Sequence, residues 1–445
     1  MKANNETSRR EFLAASSSLV LAGSLAGQEG KDTTPASDSR LALLGGQKAV
    51  PEPVSRLVRW GEPERERLNA MIGQDSLFYW KGPQTTLLIE RFRAICPLKH
   101  VMTCSSGTAA LHIAVAAAGI GPGDEVITSP VTDIGTVIGV IFQHAVPVFA
   151  DLVPNTYNLD PADVERKITP RTKAIIVVHF AGNPCAMDAL KAIATKHKLT
   201  LIEDAAQAWG ARYRGNPIGT IGHITCFSLQ NSKQVTCGDG GVVASSDPHF
   251  GPLLQRFGDK GYDRLSTSNL LESFATNYRM SEPQAAVAAA QLSRLEKIAA
   301  KRSRLGNLLT EKIQGAPGIE PHYVSPDDRC TYWLYILRIK PEAIRAKQAE
   351  FAKALAAEGA PAGAGYYSAV PLYGNPVFQK HGFFAGRWPI KEMGQTSMDY
   401  TKVSCPEAEA ILKTGIRLTI HENMTKQYVL SMAAAVRKVA SHYAV

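Results

Sequence analysis

The feature that most constrains the fold is an alternation of short, β-branched apolar runs with helical patterns between residues 100 and 258. The runs begin at Val126, Val146, Ala174, Leu199 and Ile224. Continuously apolar strands are buried on both faces, and strands that alternate with helices form parallel sheets. The alternation therefore predicts an α/β large domain over 100–313, with a mostly parallel sheet flanked by helices.

Around that domain we expect an N-terminal arm and helix over 41–99 and a smaller α+β domain over 314–445. The stretch Met280–Ile313 has the spacing of helix, broken only near Gly306, and plausible helices follow at 342–357 and 426–443. The run from Thr331 to Ile339 alternates like a strand. A chain of 445 residues with 45% hydrophobic composition is long enough for two such cores.

Charge and cysteine usage exclude two classes of function. The formal net charge is +9, but Lys and Arg are dispersed among Asp and Glu, so no nucleic-acid surface is expected, only a preference for anionic ligands. The seven cysteines form no C-x-x-C pair and lack zinc-type His spacing. They are expected to be small buried hydrophobic residues, and no metal site is predicted.

Two elements point to chemistry with an aldehyde cofactor. The apolar run from Leu201 closes on Asp204, which places a carboxylate at the carboxyl edge of the sheet, and Lys233 follows in a Gly-rich loop. An acid there can keep a pyridine nitrogen protonated, and a lysine on a loop can form a Schiff base. If each residue is considered alone, the alternative is that Lys233 is a solvated loop residue and that Asp204 forms a cap or turn.

A third element, the turn at residues 105–108, favours the cofactor site over these alternatives. A short strand breaks at Ser105-Ser-Gly-Thr108, and a helical pattern begins there. Small residues at such a turn let backbone N–H groups surround a phosphate at the positive end of a helix. The three elements together indicate a site for pyridoxal 5'-phosphate (PLP).

Five segments resemble the DegT/DnrJ/EryC1/StrS family of PLP-dependent sugar aminotransferases. They are 106–111, 147–151, 203–207, 227–233 and 277–284. The resemblance runs from about Leu41 to the C-terminus, and the segment around Lys233 is most similar to members that aminate keto-inositols. It implies PLP fold type I, the aspartate aminotransferase-like architecture with a seven-stranded type of sheet and a smaller C-terminal α+β domain.

The resemblance also implies roles for individual residues. Lys233 would form the Schiff base and then carry the proton, Asp204 would pair with the pyridinium nitrogen, and Gln207 would approach the ring hydroxyl. The phosphate would be held by Ser228, Gly107 and Thr108. Asn277 matches a residue that reaches the phosphate of the neighbouring subunit, which implies a homodimer with shared active sites; the alternative for Asn277 is a helix cap.

Asp133 departs from the family pattern. Members usually carry at this position an aromatic residue that stacks on the cofactor, and a carboxylate cannot make the same contact. Either another group covers the ring, or Asp133 meets a polar substrate or a protonated amine. Substrate contacts are expected from Tyr366, Tyr373 and His421, with core packing as the alternative for each.

The predicted function is transfer of an amino group from glutamate or glutamine to a keto-sugar or keto-cyclitol, as in sugar or aminocyclitol biosynthesis. A PLP-dependent dehydratase is disfavoured, because such relatives replace the lysine by histidine. The alternative outside catalysis is an exported PLP-binding or sensory homologue with little turnover, which Asp133 and the predicted export both motivate.

The N-terminus matches a twin-arginine export signal. Ser8-Arg-Arg-Glu-Phe-Leu13 precedes a weakly apolar stretch that ends at Gly27, with a small-residue cleavage site at Ser24-Leu-Ala26, and 28–40 reads as a linker. We expect export in folded form by the twin-arginine machinery to a periplasmic or extracytoplasmic location, with membrane tethering if the signal is uncleaved. A basic leader without export function is the alternative.

Overall fold

The computed structural model describes residues 39–266 and 270–445. The predicted export signal over 1–27 and the linker up to residue 38 lie outside the described residues. In the part of the chain that is described, no helix is long and apolar enough to cross a bilayer.

The strands are short, and most lie between residues 100 and 245. In chain order they are β1 (His100–Cys104), β2 (Glu125–Thr128), β3 (Val146–Phe149), β4 (Thr172–Val178), β5 (Thr200–Asp204), β6 (Arg212–Tyr213), β7 (Asn216–Pro217), β8 (Ile224–Ser228), β9 (Gly241–Ser245), β10 (Ile319–Glu320), β11 (Tyr335–Ile339), β12 (Ala362–Ala364) and β13 (Gly415–Leu418).

The helices alternate with these strands and then dominate the last third of the chain. They are α1 (Glu62–Ile72), α2 (Pro83–Ile95), α3 (Gly107–Ala117), α4 (Gly135–Phe142), α5 (Pro161–Arg166), α6 (Met187–Lys196), α7 (Gly251–Gly258), α8 (Glu282–Leu292), α9 (Leu295–Ile313), α10 (Gln348–Ala357), α11 (Pro376–Gln379), α12 (Pro389–Glu392), α13 (Pro406–Thr414) and α14 (Lys426–Tyr443).

A seven-stranded sheet confirms the predicted fold class. Its strand order is β1-β9-β8-β5-β4-β2-β3. The pairs from β8 to β3 are parallel, and only β9 runs against its neighbours. Alternate residues of each strand face opposite helical layers, so Ile202 packs in the cluster with α3 while Leu201 packs in the cluster with α2, α6 and α8. This double burial explains why the strands are continuously apolar.

A second, four-stranded sheet has the order β10-β11-β13-β12 and is antiparallel throughout. Its apolar face packs against α9, α10 and α14, which contribute buried residues such as Leu309, Phe351 and Val436. The boundaries predicted for the large and small domains stay predictions.

Two details of the predicted helices were wrong. The helix-rich stretch is interrupted at Ser293 and Arg294, whereas Gly306 lies inside α9. Glycine is required at 306 for packing, because an added Cβ would lie 2.3 Å from the Tyr332 ring. The helix expected over 342–357 begins only at Gln348. The preceding backbone instead bonds to the end of the chain, where Arg345 N–H donates to the Tyr443 carbonyl at 2.9 Å.

The strand expected from Thr331 begins only at Tyr335. The residues before it bond to a loop of the large sheet: Thr331 N–H donates to the Gly182 carbonyl at 3.1 Å, and Trp333 N–H donates to the Ala181 carbonyl at 2.8 Å. Because of these two bonds, Trp333 lies at the carboxyl edge of the seven-stranded sheet.

Candidate active site

A cavity of about 480 Å³ opens at the carboxyl edge of the seven-stranded sheet. Strand β5 ends there at Asp204, β8 ends at Ser228, and α3 begins at Gly107. Parallel strands bring their carboxyl ends to one edge, so residues far apart in sequence converge there. Eight of the predicted site residues line the cavity: Gly107, Thr108, Asp133, Asp204, Gln207, Ser228, Lys233 and Tyr366.

Asp204 is buried at the base of this cavity. Its Oδ2 accepts a hydrogen bond from Thr136 Oγ1 at 2.8 Å, and its Oδ1 accepts one from Ala206 N–H at 3.1 Å. Burial raises the pKa of Asp204, while the two hydrogen bonds and the nearby Lys233 oppose that rise. A cation placed against this carboxylate would therefore favour its ionised form.

Lys233 lies in the loop after β8, with 8% of its surface exposed. Its Nζ is 3.9 Å from the centroid of the Trp333 ring, and no hydrogen-bond acceptor contacts it within the described residues. Burial lowers the pKa of Lys233 to about 8, although the carboxylates of Asp204 and Asp133 oppose the change. About a tenth of this amine is therefore neutral, and hence nucleophilic, at pH 7, and about half of it near pH 8.

The backbone around the lysine is anchored from outside the loop. The Lys233 carbonyl accepts a hydrogen bond from Arg59 Nη1 at 2.6 Å, and the Ser232 carbonyl accepts one from Trp333 Nε1 at 2.9 Å. Within the loop, Lys233 N–H donates to the Gln230 carbonyl at 2.9 Å. These three bonds hold the backbone from which the lysine side chain extends into the cavity.

The amide of Gln207 has a defined orientation. Its Oε1 accepts a hydrogen bond from Ala181 N–H at 2.7 Å, so its Nε2 is the group left to donate. The Nε2 lies 3.3 Å from the hydroxyl of Tyr366, which also lines the cavity. Gln207 thus presents a hydrogen-bond donor to the cavity, as binding an anionic ring oxygen requires.

The N-terminus of α3 meets β8 at close range. The Ser106 side chain caps the helix by accepting from Ala109 N–H at 3.0 Å. An added Cβ on Gly107 would lie 2.7 Å from the Ser228 Cβ, so only glycine permits this approach. The N–H groups of Gly107 and Thr108 donate to no other described residue, and the Ser228 hydroxyl lies beside them. This arrangement suits an oxyanion.

Asp133 lines the same cavity from the loop before α4. Its Oδ1 accepts a hydrogen bond from Gly135 N–H at 2.8 Å, and the residue is exposed. Its charge acts on Lys233, Asp204 and Tyr366, whose pKa values it helps to raise. A second carboxylate therefore belongs to the electrostatics of the site.

Three predicted residues do not line the cavity. Asn277 is exposed and accepts a hydrogen bond from Arg279 Nε at 2.8 Å. Tyr373 donates to Glu409 Oε1 at 2.6 Å and accepts from Cys405 N–H at 2.9 Å, so its hydroxyl is engaged in packing. His421 is buried, and burial lowers its pKa. The proposed roles of all the site residues remain predictions.

Three contributors had not been identified from the sequence. Thr136 was detectable in principle, because its hydroxyl lies in the first turn of the helix that follows β2 at the same sheet edge. Trp333 and Arg59 are 100 and 174 residues from Lys233 and carried no local signal; their contacts arise only from tertiary packing.

The residues present fit PLP. Lys233 supplies a partly neutral amine, Asp204 a buried carboxylate for a pyridinium nitrogen, and Gln207 an N–H donor for a ring oxygen. The free N–H groups at the start of α3 and the Ser228 hydroxyl match a phosphate.

Known proteins agree with this assignment. The model of the DegT/DnrJ/EryC1/StrS aminotransferase family matches residues 60–437. The spore coat polysaccharide biosynthesis protein SpsC of Bacillus subtilis (strain 168) is 31% identical over 368 residues, covering 81% of this chain and 90% of that protein. The L-glutamine:2-deoxy-scyllo-inosose aminotransferase of Micromonospora echinospora is 39% identical over 321 residues, covering 70% and 74%.

A solved structure shows the same similarity in three dimensions. The crystal structure of S. venezuelae DesV in complex with a ketimine intermediate has a TM-score of 0.73 and 32% identity, covering 85% of this chain and 94% of that one. From the family match, these relatives and the shared fold we conclude that the chain belongs to the DegT/DnrJ/EryC1/StrS aminotransferase family and is a PLP-dependent transaminase.

Proposed function

We propose that the protein transfers an amino group from glutamine, or from glutamate, to a keto-sugar or keto-cyclitol. The observation that carries the proposal is the buried amine of Lys233 in one cavity with the buried carboxylate of Asp204. The choice of donor and acceptor is supported by the relative that uses L-glutamine and 2-deoxy-scyllo-inosose according to its name.

When bound, PLP supplies an aldehyde and an electron-withdrawing pyridinium ring. Lys233 would hold the cofactor through its amine, and that amine, when it is not bound to the cofactor, could accept the proton from the donor carbon that bears nitrogen. The pKa of about 8 suits this exchange, because the amine takes up and gives back a proton near physiological pH.

The surrounding residues prepare this proton transfer. Asp204 would keep the ring nitrogen protonated, and Thr136 Oγ1 donates a hydrogen bond to its Oδ2 at 2.8 Å, which holds the carboxylate in place. Gln207 donates from Nε2 because Ala181 N–H occupies its oxygen. We expect the Tyr366 hydroxyl to bind a hydroxyl of a polyhydroxylated acceptor; its position in the cavity lining, 3.3 Å from Gln207 Nε2, supports this role.

Half-reaction spectroscopy tests this function. The PLP-loaded protein is mixed with glutamine, glutamate or alanine, and loss of the aldehyde band with gain of the pyridoxamine band is followed. We expect conversion by glutamine or glutamate, and re-conversion by a keto-cyclitol. The alternative of a sensory homologue with little turnover, which the carboxylate of Asp133 in the cavity favours, predicts a stable aldehyde band with every donor.

We also propose a homodimer with shared active sites, supported by the exposed position of Asn277 outside its own cavity. Sedimentation analysis should give twice the mass of the chain. Mixing Asn277→Ala protein with Lys233→Ala protein should then restore up to about a quarter of the activity, because only mixed dimers pair an intact Lys233 with an intact Asn277. A monomer, or no restoration, contradicts the shared site.

Export is a separate proposal, supported by the Arg9-Arg10 motif followed by Phe12 and Leu13. Fractionation of cells that express the full chain should place it outside the cytoplasm, and replacement of both arginines by lysine should retain it inside. Equal distribution of the two proteins would contradict export by the twin-arginine route.

A further inference from the structure

Asp133 stands at the junction of two cavities. The catalytic cavity adjoins a second one of about 400 Å³, and the two share Thr132, Asp133, Tyr366 and Tyr367. The second cavity is otherwise lined by Ile134, Ser368, Leu372, Asn375 and Val377. A ligand that reacts at Lys233 and extends outward therefore passes Asp133.

The carboxylate of Asp133 is held in position but not neutralised. Gly135 N–H at 2.8 Å engages Oδ1, while Oδ2 contacts no hydrogen-bond donor or cation within the described residues. The only cationic side chain that lines either cavity in that part of the chain is Lys233, whose nitrogen is occupied when the cofactor is bound. Two other acids line the catalytic cavity: Asp204, which would face the ring nitrogen, and Asp239. Asp133 is the acid that lines both cavities.

The two tyrosines beside Asp133 suit a cation. Their ring centroids are 4.9 Å apart with an interplanar angle of 63°, which presents one edge and one face. Aromatic faces attract ammonium and guanidinium groups. Tyr367 already holds one such group, since the Arg417 guanidinium lies 4.6 Å from its ring centroid, outside the lining of both cavities. With Tyr367 in contact with Arg417, the Asp133 carboxylate and the Tyr366 ring are the groups left to contact an amine here.

We propose that Asp133 binds an ammonium group of the acceptor, which is then a keto-cyclitol or keto-sugar that already carries an amino group. This inference rests on the proposed function and narrows its substrate class. The bound amine takes no part in the reaction, because the acceptor reacts at its carbonyl carbon, whereas the amine held by Asp133 stays protonated beside the carboxylate.

The reverse half-reaction tests this recognition. PLP-loaded protein is given either a 1,3-diaminocyclitol or the same ring with one amine replaced by hydroxyl, and the pyridoxamine band is followed. Wild-type protein should prefer the diamine, and Asp133→Asn should lower the ratio of kcat/KM for diamine over monoamine by about 10- to 100-fold, since a charge-assisted hydrogen bond is lost. Asp239→Asn is the matched control, because Asp239 lines the catalytic cavity but not the second one; its ratio should stay near that of the wild type.

Binding without turnover gives an independent measurement. Calorimetry with PLP-loaded Lys233→Ala protein should show weaker binding of the diamine, by a similar factor, when Asp133→Asn is added. If both amines react but the ratio and the affinity change less than about twofold in Asp133→Asn, the inference is overturned and the proposed function stands. If glutamine reacts and neither cyclitol does, the proposed acceptor class fails and the inference fails with it.

Discussion

The carboxyl edge of the seven-stranded sheet and the interior of the four-stranded sheet bury side chains of opposite character. At the edge, Asp204, Gln207 and Lys233 are each less than a tenth exposed and face a cavity. In the small sheet and its flanking helices the buried hydrophobic cluster includes Leu337, Ile416 and Phe351, and the buried carboxylate of Glu358 is paired with Lys438 at 3.0 Å. Burial of a charge is unfavourable unless a partner compensates it, whereas burial of hydrocarbon is favourable by itself. The edge is thus arranged for ligand chemistry and the small sheet for stability.

Lys233→Ala should have the largest effect, because it should abolish catalysis without loss of stability. We expect kcat for amino transfer to fall by about 10³-fold or more, because the only buried amine of the cavity is removed. The thermal midpoint of the apoprotein should stay the same or rise, because a buried, partly charged group is lost. Turnover and calorimetric unfolding measure the two effects. A clear loss of apoprotein stability would mean that Lys233 has a structural role, which would contradict this prediction.

The pH dependence of cofactor loading examines the buried amine directly. The pKa of Lys233 is lowered from 10.5 to about 8, mainly by burial, so the neutral, reactive form accumulates as pH rises through about 8. The rate at which apoprotein gains the PLP absorbance band should therefore rise with a midpoint near pH 8. A midpoint near 10 would show that the lysine is solvated, and Lys233→Ala supplies the background.

Gly306→Ala tests the packing of α9 in the region of the four-stranded sheet. The added methyl would lie 2.3 Å from the Tyr332 ring, which is fully buried and stacks on Tyr335. We expect the free energy of unfolding to fall by about 1–3 kcal/mol through overpacking, whereas Arg304→Ala, at an exposed position of α9, should change it by less than about 0.5 kcal/mol. Chemical denaturation measures both. Equal stability of the two variants would remove the packing role assigned to Gly306.

Thr136→Val is expected to have the smallest effect. It removes the hydrogen bond to Asp204 Oδ2, so the carboxylate is more easily protonated and the affinity for PLP should fall about tenfold. Thr136→Ser keeps the donor and should bind as the wild type does. Fluorescence titration of the apoproteins with PLP gives the dissociation constants. If valine and serine variants bind equally, Asp204 does not depend on this hydroxyl.

Local patterns were sufficient for the central part of the site. Asp204 ends an apolar strand, Gly107 opens a helix after a strand, and Lys233 lies in a Gly-rich loop, so each carried its signal in a few neighbouring residues. Trp333 and Arg59 carried none, because their contacts with the lysine loop join elements distant in sequence. The position of Gly306 was misjudged for the same reason: its partner Tyr332 is in another element.

By itself, the sequence determined the alternation of strands and helices, the mostly parallel sheet and the segments that line the cavity, because hydrophobic period and turn chemistry act over short distances. Only the tertiary structure decided which groups meet in the cavity and how far burial shifts the pKa of Lys233. It also decided that Asp133 lies between two cavities, where no cation of the described residues is paired with it. Those properties depend on packing and on exclusion of water, which are set by residues from many parts of the chain at once.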